Sequence, residues 1–333
     1  MNEFTQYNPE EAAEFYNESY FRRKDTETKN LRKLGLLSGS AVILYIVIQN
    51  LIVTALEGMD LINLYSKSFI FQGGVDILLI LLGILLPFSL MGKAMKKYSG
   101  EDEPVLTEPV KSRSLFIFGM LGCTGCVMIA NIASAYITTI ISLFGYELEN
   151  PDIKMPDGIL GFLITMLKVC ILTAVVEEYS LRGQILGNLR PYGDTFAIVM
   201  AAGIFALMHG TLVQVPFAMM AGIALGFFTV RCGSIWPAVI AHGINNGLSV
   251  VITYLIKIVG DEKGMLLYSY AIYALIIIGL ISCFLFALNS NRIRPGKPRT
   301  VLSTSEKIIN FLFSPTLIIA FVIMVAITAT SVK

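Results

Sequence analysis

Nine long apolar stretches follow one another along this chain, and that succession limits the possible folds more than any other feature. They lie at about 35–57, 75–92, 115–144, 159–178, 196–213, 216–230, 235–258, 266–288 and 310–330. A helix needs about 20 mostly apolar residues to cross the hydrocarbon layer of a bilayer. Inside that layer the backbone has no water to bond to, so helices that satisfy their own N–H and C=O groups are the expected solution. The sixth stretch is short, and Pro216 separates it from the fifth by very little, so these two can form a tight hairpin that does not fully cross. The expected fold is all-α, a polytopic transmembrane helical bundle of about eight to nine membrane helices. Composition agrees with that class. The 333 residues are 55% hydrophobic and only 15% charged, against about 25% charged in a soluble domain, and mean hydropathy is +0.71. A formal net charge of +1 gives no basic surface for a nucleic-acid partner.

The chain divides into a polar N-terminal tail over 1–33, N-terminal membrane helices over 34–150, a central segment over 151–290, and a basic linker with a last helix over 291–333. The linker reads "NRIRPGKPRT" at 291–300. The polar tail has no apolar core of the kind a signal peptide carries. Lysine and arginine placement orients the bundle. With the N-terminus in the cytoplasm, 19 of these residues fall on the cytoplasmic side and five outside, with Lys168 inside a span. Cytoplasmic loops carry such an excess. Lys168 is expected to be paired or to snorkel, and Trp236 sits where an interfacial anchor belongs. The five cysteines lie in or beside apolar runs, and an odd number argues against a disulfide framework. Cys123 and Cys126 form a C-x-x-C, read as small-residue packing between membrane helices rather than as redox or metal chemistry.

The stretch "TAVVEEYSLRGQ" at 173–184 places Glu177 and Glu178 directly after an apolar run. The chain's two histidines, His209 and His242, both fall inside apolar segments. Ionisable groups at membrane depth are rare and usually face a bundle interior or a water-filled cavity. Adjacent helical residues point about 100° apart, so Glu177 and Glu178 face different ways. Arg182 follows Glu178 by four residues, the favourable acid-before-base spacing, which assigns Glu178 to a supporting ion pair and leaves Glu177 free. His242 and Asn246 share a face by the same spacing, and Phe205 can pack one turn before His209 and shield it. Glu177 is expected at the cytoplasmic end of the fourth span. Counted from the same side, His209 lies about 20 Å and His242 about 10 Å along their helices at roughly 1.5 Å per residue.

These residue types suit hydrolysis. A carboxylate in a poorly solvated pocket can take a proton from water near neutral pH. Two imidazoles can bind a metal, orient the water or stabilise an oxyanion, and an amide NH2 such as that of Asn246 is an oxyanion donor. Glu177, His209 and His242 are also a possible ligand set for zinc. A Glu177 that acts as the base leaves only two histidines for the ion, so a zinc-dependent and an ion-free version both stand. No H-E-x-x-H is present.

The order "EEYSLR", "FALMH", "HGINN" resembles the CPBP family of intramembrane proteases, which includes type II CAAX prenyl endopeptidases and bacterial abortive-infection-type proteins. Its motifs EExxxR, FxxxH and HxxxN are matched at Glu177, Glu178 and Arg182, at Phe205 and His209, and at His242 and Asn246. The resemblance covers about residues 160–260 and makes 151–290 the protease core. It implies a metalloendopeptidase-type hydrolase working within the membrane. Glu177 and His209 would activate water, and His242 and Asn246 would form an oxyanion hole. The expected substrate is a peptide or a membrane-anchored protein tail, and the expected location is a bacterial plasma membrane. Two rival classes use the same groups: a proton-coupled transporter, since membrane carboxylates and histidines also build proton relays, and a non-catalytic scaffold that regulates a partner. Against the transporter, the chain shows no repeated half with matching broken helices.

Overall fold

The computed structural model describes residues 9–99, 106–110, 112–148, 156, 158–290 and 300–332. Residues 1–8 of the polar tail and 291–299 of the basic linker lie outside the described residues. The chain is an all-α helical bundle: α1 Pro9–Gly58, α2 Ile62–Lys67, α3 Phe69–Ser99, α4 Arg113–Leu143, α5 Gly158–Tyr192, α6 Asp194–Met208, α7 Gln214–Cys232, α8 Trp236–Val259, α9 Asp261–Ser290, α10 Thr304–Leu312 and α11 Pro315–Ala329. Seven of these are long and apolar enough to cross a membrane, and α10 with α11 adds an eighth if the bent pair counts as one span.

Three expectations about the spans change. The stretch at 196–213 yields only the 15-residue α6, about 22 Å long at 1.5 Å per residue. Gly210, at φ +65°, stops it, because a left-handed residue closes a helix end and glycine adopts it without a Cβ clash. The last span is broken at Phe313 and Ser314, where α11 starts on Pro315 and turns 71° from α10. Proline is tolerated at a helix start and not within one. The fourth span does not end at Glu178. Helix α5 continues to Tyr192, so Glu177 sits near its middle rather than at an end. Its charged residues have partners inside the protein, and buried partnered charge does not stop a helix.

Helix α1 also runs further than its apolar stretch. Over its polar part, Glu27 accepts hydrogen bonds from Thr300 Oγ1 at 2.6 Å and Val301 N at 2.9 Å. Lys24 pairs with Glu306 at 2.6 Å, and Arg32 Nε donates to Asn310 Oδ1 at 2.8 Å. The described part of the tail is thus helical and tied to the C-terminal elements.

Helix α5 departs from regular α geometry in two π segments, Met166–Leu172 and Tyr179–Leu186. The glutamates lie in the single α stretch between them, Thr173–Glu178. Such i→i+5 turns re-aim the side chains that follow and often occur at functional sites. Close helix crossings complete the frame. A Cβ on Gly125 of α4 would lie 2.6 Å from Gly279 Cα of α9, so the two backbones touch there. Gly243 of α8 approaches Cys170 O of α5, and Gly247, one turn on, faces Cys170 Sγ. Small residues allow this packing in a membrane, where lipid removes the hydrophobic drive between helices. It seats the HGINNG stretch against α5.

The α4–α9 contact yields a stability prediction. Gly279→Ala should cost about 1–3 kcal/mol, the usual penalty for overpacking, and lower the melting temperature of the protein in detergent. Gly203→Ala, on α6 with open space where its Cβ would stand, should not. Equal melting temperatures for the two variants would show that the α4–α9 backbone contact is not close.

Candidate active site

Glu177 and Glu178 occupy opposite environments, as helix geometry requires. Glu178 is fully buried. Its Oε1 accepts from Arg182 Nη1 at 2.8 Å and from His242 Nδ1 at 2.9 Å. Arg182 is also fully buried; its Nη2 reaches Gly222 O of α7 at 3.4 Å, and its guanidinium carbon stands 4.5 Å over the Phe205 ring. A buried charge is tolerable when paired and hydrogen-bonded, and a ring face adds cation–π attraction. Glu177 instead lines an open cavity, with its Oε2 3.8 Å from His242 Nε2. His242 therefore stands between the carboxylates, with Nδ1 tied to Glu178 and Nε2 facing Glu177.

His209 follows the last residue of α6. Its Nδ1 lies 2.8 Å from Phe205 O, one turn back. A carbonyl only accepts, so Nδ1 carries the proton, which leaves Nε2 for the cavity. Phe205 packs edge-on against His209 at 4.7 Å and against His242 at 5.9 Å between centroids. It shields His209 as the spacing suggested, and it also spaces both imidazoles and Arg182 around one ring.

Asn246 lies one turn beyond His242 on α8. Its Nδ2 donates to Val169 O of α5 at 3.0 Å. Val169 belongs to the first π segment, so the irregular turn and the close approach at Gly243 and Gly247 act together to bring this carbonyl to the amide. The second N–H of Asn246 is available to the cavity.

The cavity holds about 990 Å³ and is lined by Glu177, His209, His242 and Asn246 together. The structure thus brings the four proposed catalytic residues to one space and puts Glu178, Arg182 and Phe205 behind them. Glu177 comes to this space from the middle of α5 and His209 from the end of α6, rather than at depths counted from one side. Among the described residues no group of three or more His, Cys, Asp or Glu side chains is gathered closely enough to hold an ion.

Sequence reasoning missed several participants. Glu178 was assigned to Arg182 alone, although it also holds His242. Asn131 of α4 donates to Asn245 Oδ1 at 2.7 Å and lines the cavity; an amide within an apolar span was the available signal. Tyr45 of α1 lines the cavity and donates to Met208 O at 3.4 Å. Lys168 is paired, as expected, and its partner is Asp76 of α3, which also accepts from Tyr65 OH at 2.9 Å. Asp76 is itself a charge in an apolar stretch, so the reasoning applied to Lys168 would have found it. Trp236 donates from Nε1 to Thr107 O at 2.9 Å. Cys123 and Cys126 are free thiols, and Cys126 Sγ stands 4.0 Å from Cys283 rather than from Cys123.

Residues 159–248 match the family model described as type II CAAX prenyl endopeptidase Rce1-like. Neither a curated protein nor a solved structure gives a significant match. The matched stretch begins at the start of α5 and ends two residues past Asn246, so it spans all three motifs, while α1, α3, α4, the end of α8 and α9 add lining residues from outside it. Within a multi-pass helical bundle, residues 159–248 thus carry a type II CAAX prenyl endopeptidase Rce1-like match, which supports the CPBP resemblance read from the three motifs.

Proposed function

We propose that this chain is an intramembrane endopeptidase that hydrolyses a peptide or the tail of a membrane-anchored protein, with Glu177 as general base. The observation that carries this reading is the joint exposure of Glu177, His209, His242 and Asn246 to one cavity of about 990 Å³, while Glu178 and Arg182 hold His242 from behind. Water bound between Glu177 and His209 Nε2 gives its proton to the Glu177 carboxylate as its oxygen attacks the substrate carbonyl. Negative charge then gathers on the carbonyl oxygen. The free N–H of Asn246 stabilises it, joined by Nε2–H when the His242 ring carries both protons, because preorganised donors act most strongly where water is excluded. The Glu177 proton passes to the departing amine as the peptide bond breaks, which restores the carboxylate.

Arrangement around His242 explains why two adjacent glutamates are useful. Nδ1 is held by a carboxylate that cannot move, so Nε2 points in a fixed direction. Glu177 keeps its solvent access and can exchange protons. The lysine and arginine bias supports an N-terminus in the cytoplasm, and the bacterial style of the motifs supports a bacterial plasma membrane by analogy. Peptide maturation or self-protection against a bacteriocin is a more natural role there than processing of prenylated tails.

The two glutamates should fail differently. Glu177→Gln should abolish turnover with little change in melting temperature. Glu178→Gln leaves Arg182 buried without its counter-charge, and breaking a buried pair costs about 3–5 kcal/mol, so it should lower the melting temperature and reduce activity indirectly. Thermal melts of both variants, with comparison of the membrane peptides in cells carrying wild type and Glu177→Gln, test the assignment. Retained turnover in Glu177→Gln overturns it.

Metal dependence separates the two versions of the chemistry. With Glu177 as base, exhaustive treatment with 1,10-phenanthroline should leave turnover unchanged, and elemental analysis should find less than one zinc per chain. Loss of activity on chelation, restored by added zinc, would replace the ion-free mechanism with a zinc-dependent one.

A further inference from the structure

We propose that Asn131 and Asn245 are positioning residues that fix the side-chain amide of Asn246 with its NH2 edge toward the substrate. This rests on the protease reading given above and extends the working site to α4, outside the residues that match the family.

Three amides form a continuous chain across the bundle. Asn131 Nδ2 of α4 donates to Asn245 Oδ1 at 2.7 Å. Asn245 Nδ2 donates to Asn246 Oδ1 at 3.1 Å. Asn246 Nδ2 donates to Val169 O of α5 at 3.0 Å. Asn131 Nδ2 also reaches Val127 O, one turn back on its own helix, at 3.3 Å. The direction of the chain follows from chemistry. A backbone carbonyl only accepts, so the edge that Asn246 turns to Val169 O must be NH2, and the edge that Asn131 turns to Val127 O must be NH2. Between those anchors each amide can only run head to tail. Every link is within hydrogen-bond range, and Asn245 in the middle is buried.

An oxyanion donor needs this support. The two edges of an asparagine amide are nearly the same shape and opposite in polarity. An Asn246 turned the other way would present Oδ1 to the developing negative charge and repel it. Asn245 follows His242 by three residues and Asn246 by four, so both lie on the cavity side of α8. The function of Asn245 is the contact with Asn246 Oδ1, which occupies the oxygen edge and leaves the NH2 edge for Val169 O and the cavity. Asn131, Asn245 and Asn246 all line that cavity, so the chain lies along its wall rather than elsewhere in the bundle. Bonds in series also polarise one another, which makes the terminal N–H a better donor.

Two readouts on the full-length protein in detergent micelles test this. The first needs no turnover. With asparagine nitrogen-15 labelled, the side-chain NH2 resonance of Asn246 is identified by its loss in Asn246→Ala. Asn131→Leu, two residue positions removed from Asn246 along the chain of amides, should shift it. The second is kinetic and uses an internally quenched peptide chosen for cleavage by the wild-type protein. Removal of one oxyanion donor costs about 10²–10³ in kcat, which sets the expectation for Asn246→Ala. Asn131→Asp replaces the donor with a group that accepts and so forces the chain to reverse; kcat should fall by about tenfold or more with KM unchanged. In the Asn246→Ala background the same substitution should change kcat by less than about twofold, because the group through which it acts is gone. Asn131→Leu carries the same comparison if Asn131→Asp does not fold. An unmoved Asn246 resonance in Asn131→Leu, or an equal loss of kcat in both backgrounds, overturns the inference. Full turnover in Asn246→Ala and in Glu177→Gln would instead overturn the protease reading, and the resonance experiment distinguishes that outcome from a failure of the amide chain.

Discussion

A single carboxylate oxygen, Glu178 Oε1, accepts from Arg182 at 2.8 Å and from His242 at 2.9 Å inside the bundle. Nearly everything else at the site depends on that shared acceptor. A buried ion pair gains little net stability, since desolvation of both charges offsets their attraction. What this one supplies is direction. It ties α5 to α8 at a point where neither helix could rotate without stranding a charge, and it selects the imidazole nitrogen that faces the cavity. Phe205 adds a third constraint from α6, with Arg182 over its ring at 4.5 Å and both imidazoles packed nearly perpendicular to it.

The adjacent glutamates illustrate how environment separates two identical groups. They differ by about 100° around one helix, which is enough to put one against a guanidinium and the other against open space. Glu178 has no freedom to act on a substrate, because its bonded oxygen is already shared and its burial is complete. Glu177 Oε2 stands 3.8 Å from His242 Nε2, a gap that suits an intervening water. The imidazole opposite Glu177 is held by Glu178, which leaves the Glu177 carboxylate to the cavity.

Much of this was legible in the residues. Apolar run lengths and low charge specify a polytopic bundle because bilayer thickness leaves few alternatives, and i, i+4 spacing separates Glu178–Arg182 from Glu177 because helical period is fixed. Span ends were legible only in part. Charge at Glu178 suggests the end of a span, but α5 continues through fourteen more residues, with Arg182 and Asn188 bonded within the bundle. The run at 196–213 reads either as a span or as half of a hairpin that does not fully cross, and Gly210 ends its helix after 15 residues although the run continues. The contacts that no spacing rule reaches are those between distant elements. Asn131 and Asn245 are 114 residues apart and Lys168 and Asp76 are 92 apart. Periodicity predicts which face a residue occupies, not which helix that face meets.

The π segments are the other feature that a 3.6-residue reading does not anticipate, and they explain why a polar site can be built on a membrane helix at all. Each widened turn changes the registry between α5 and its neighbours, so residues before and after it present faces that a straight helix would not. Met166–Leu172 offers Val169 O to Asn246 across the crossing at Gly243, and Thr173 Oγ1 donates back to Lys168 O at 2.9 Å, five residues earlier. The Lys168–Asp76 pair braces the same turn from the α3 side. The second segment, Tyr179–Leu186, carries Arg182 toward α7. Between them the six residues Thr173–Glu178 remain regular, and regularity is what keeps Glu177 and Glu178 a fixed angle apart. Irregular turns on both sides of a short regular one thus let α5 meet α3, α7 and α8 with polar groups, while the division of roles between its two carboxylates stays set by ordinary helix geometry.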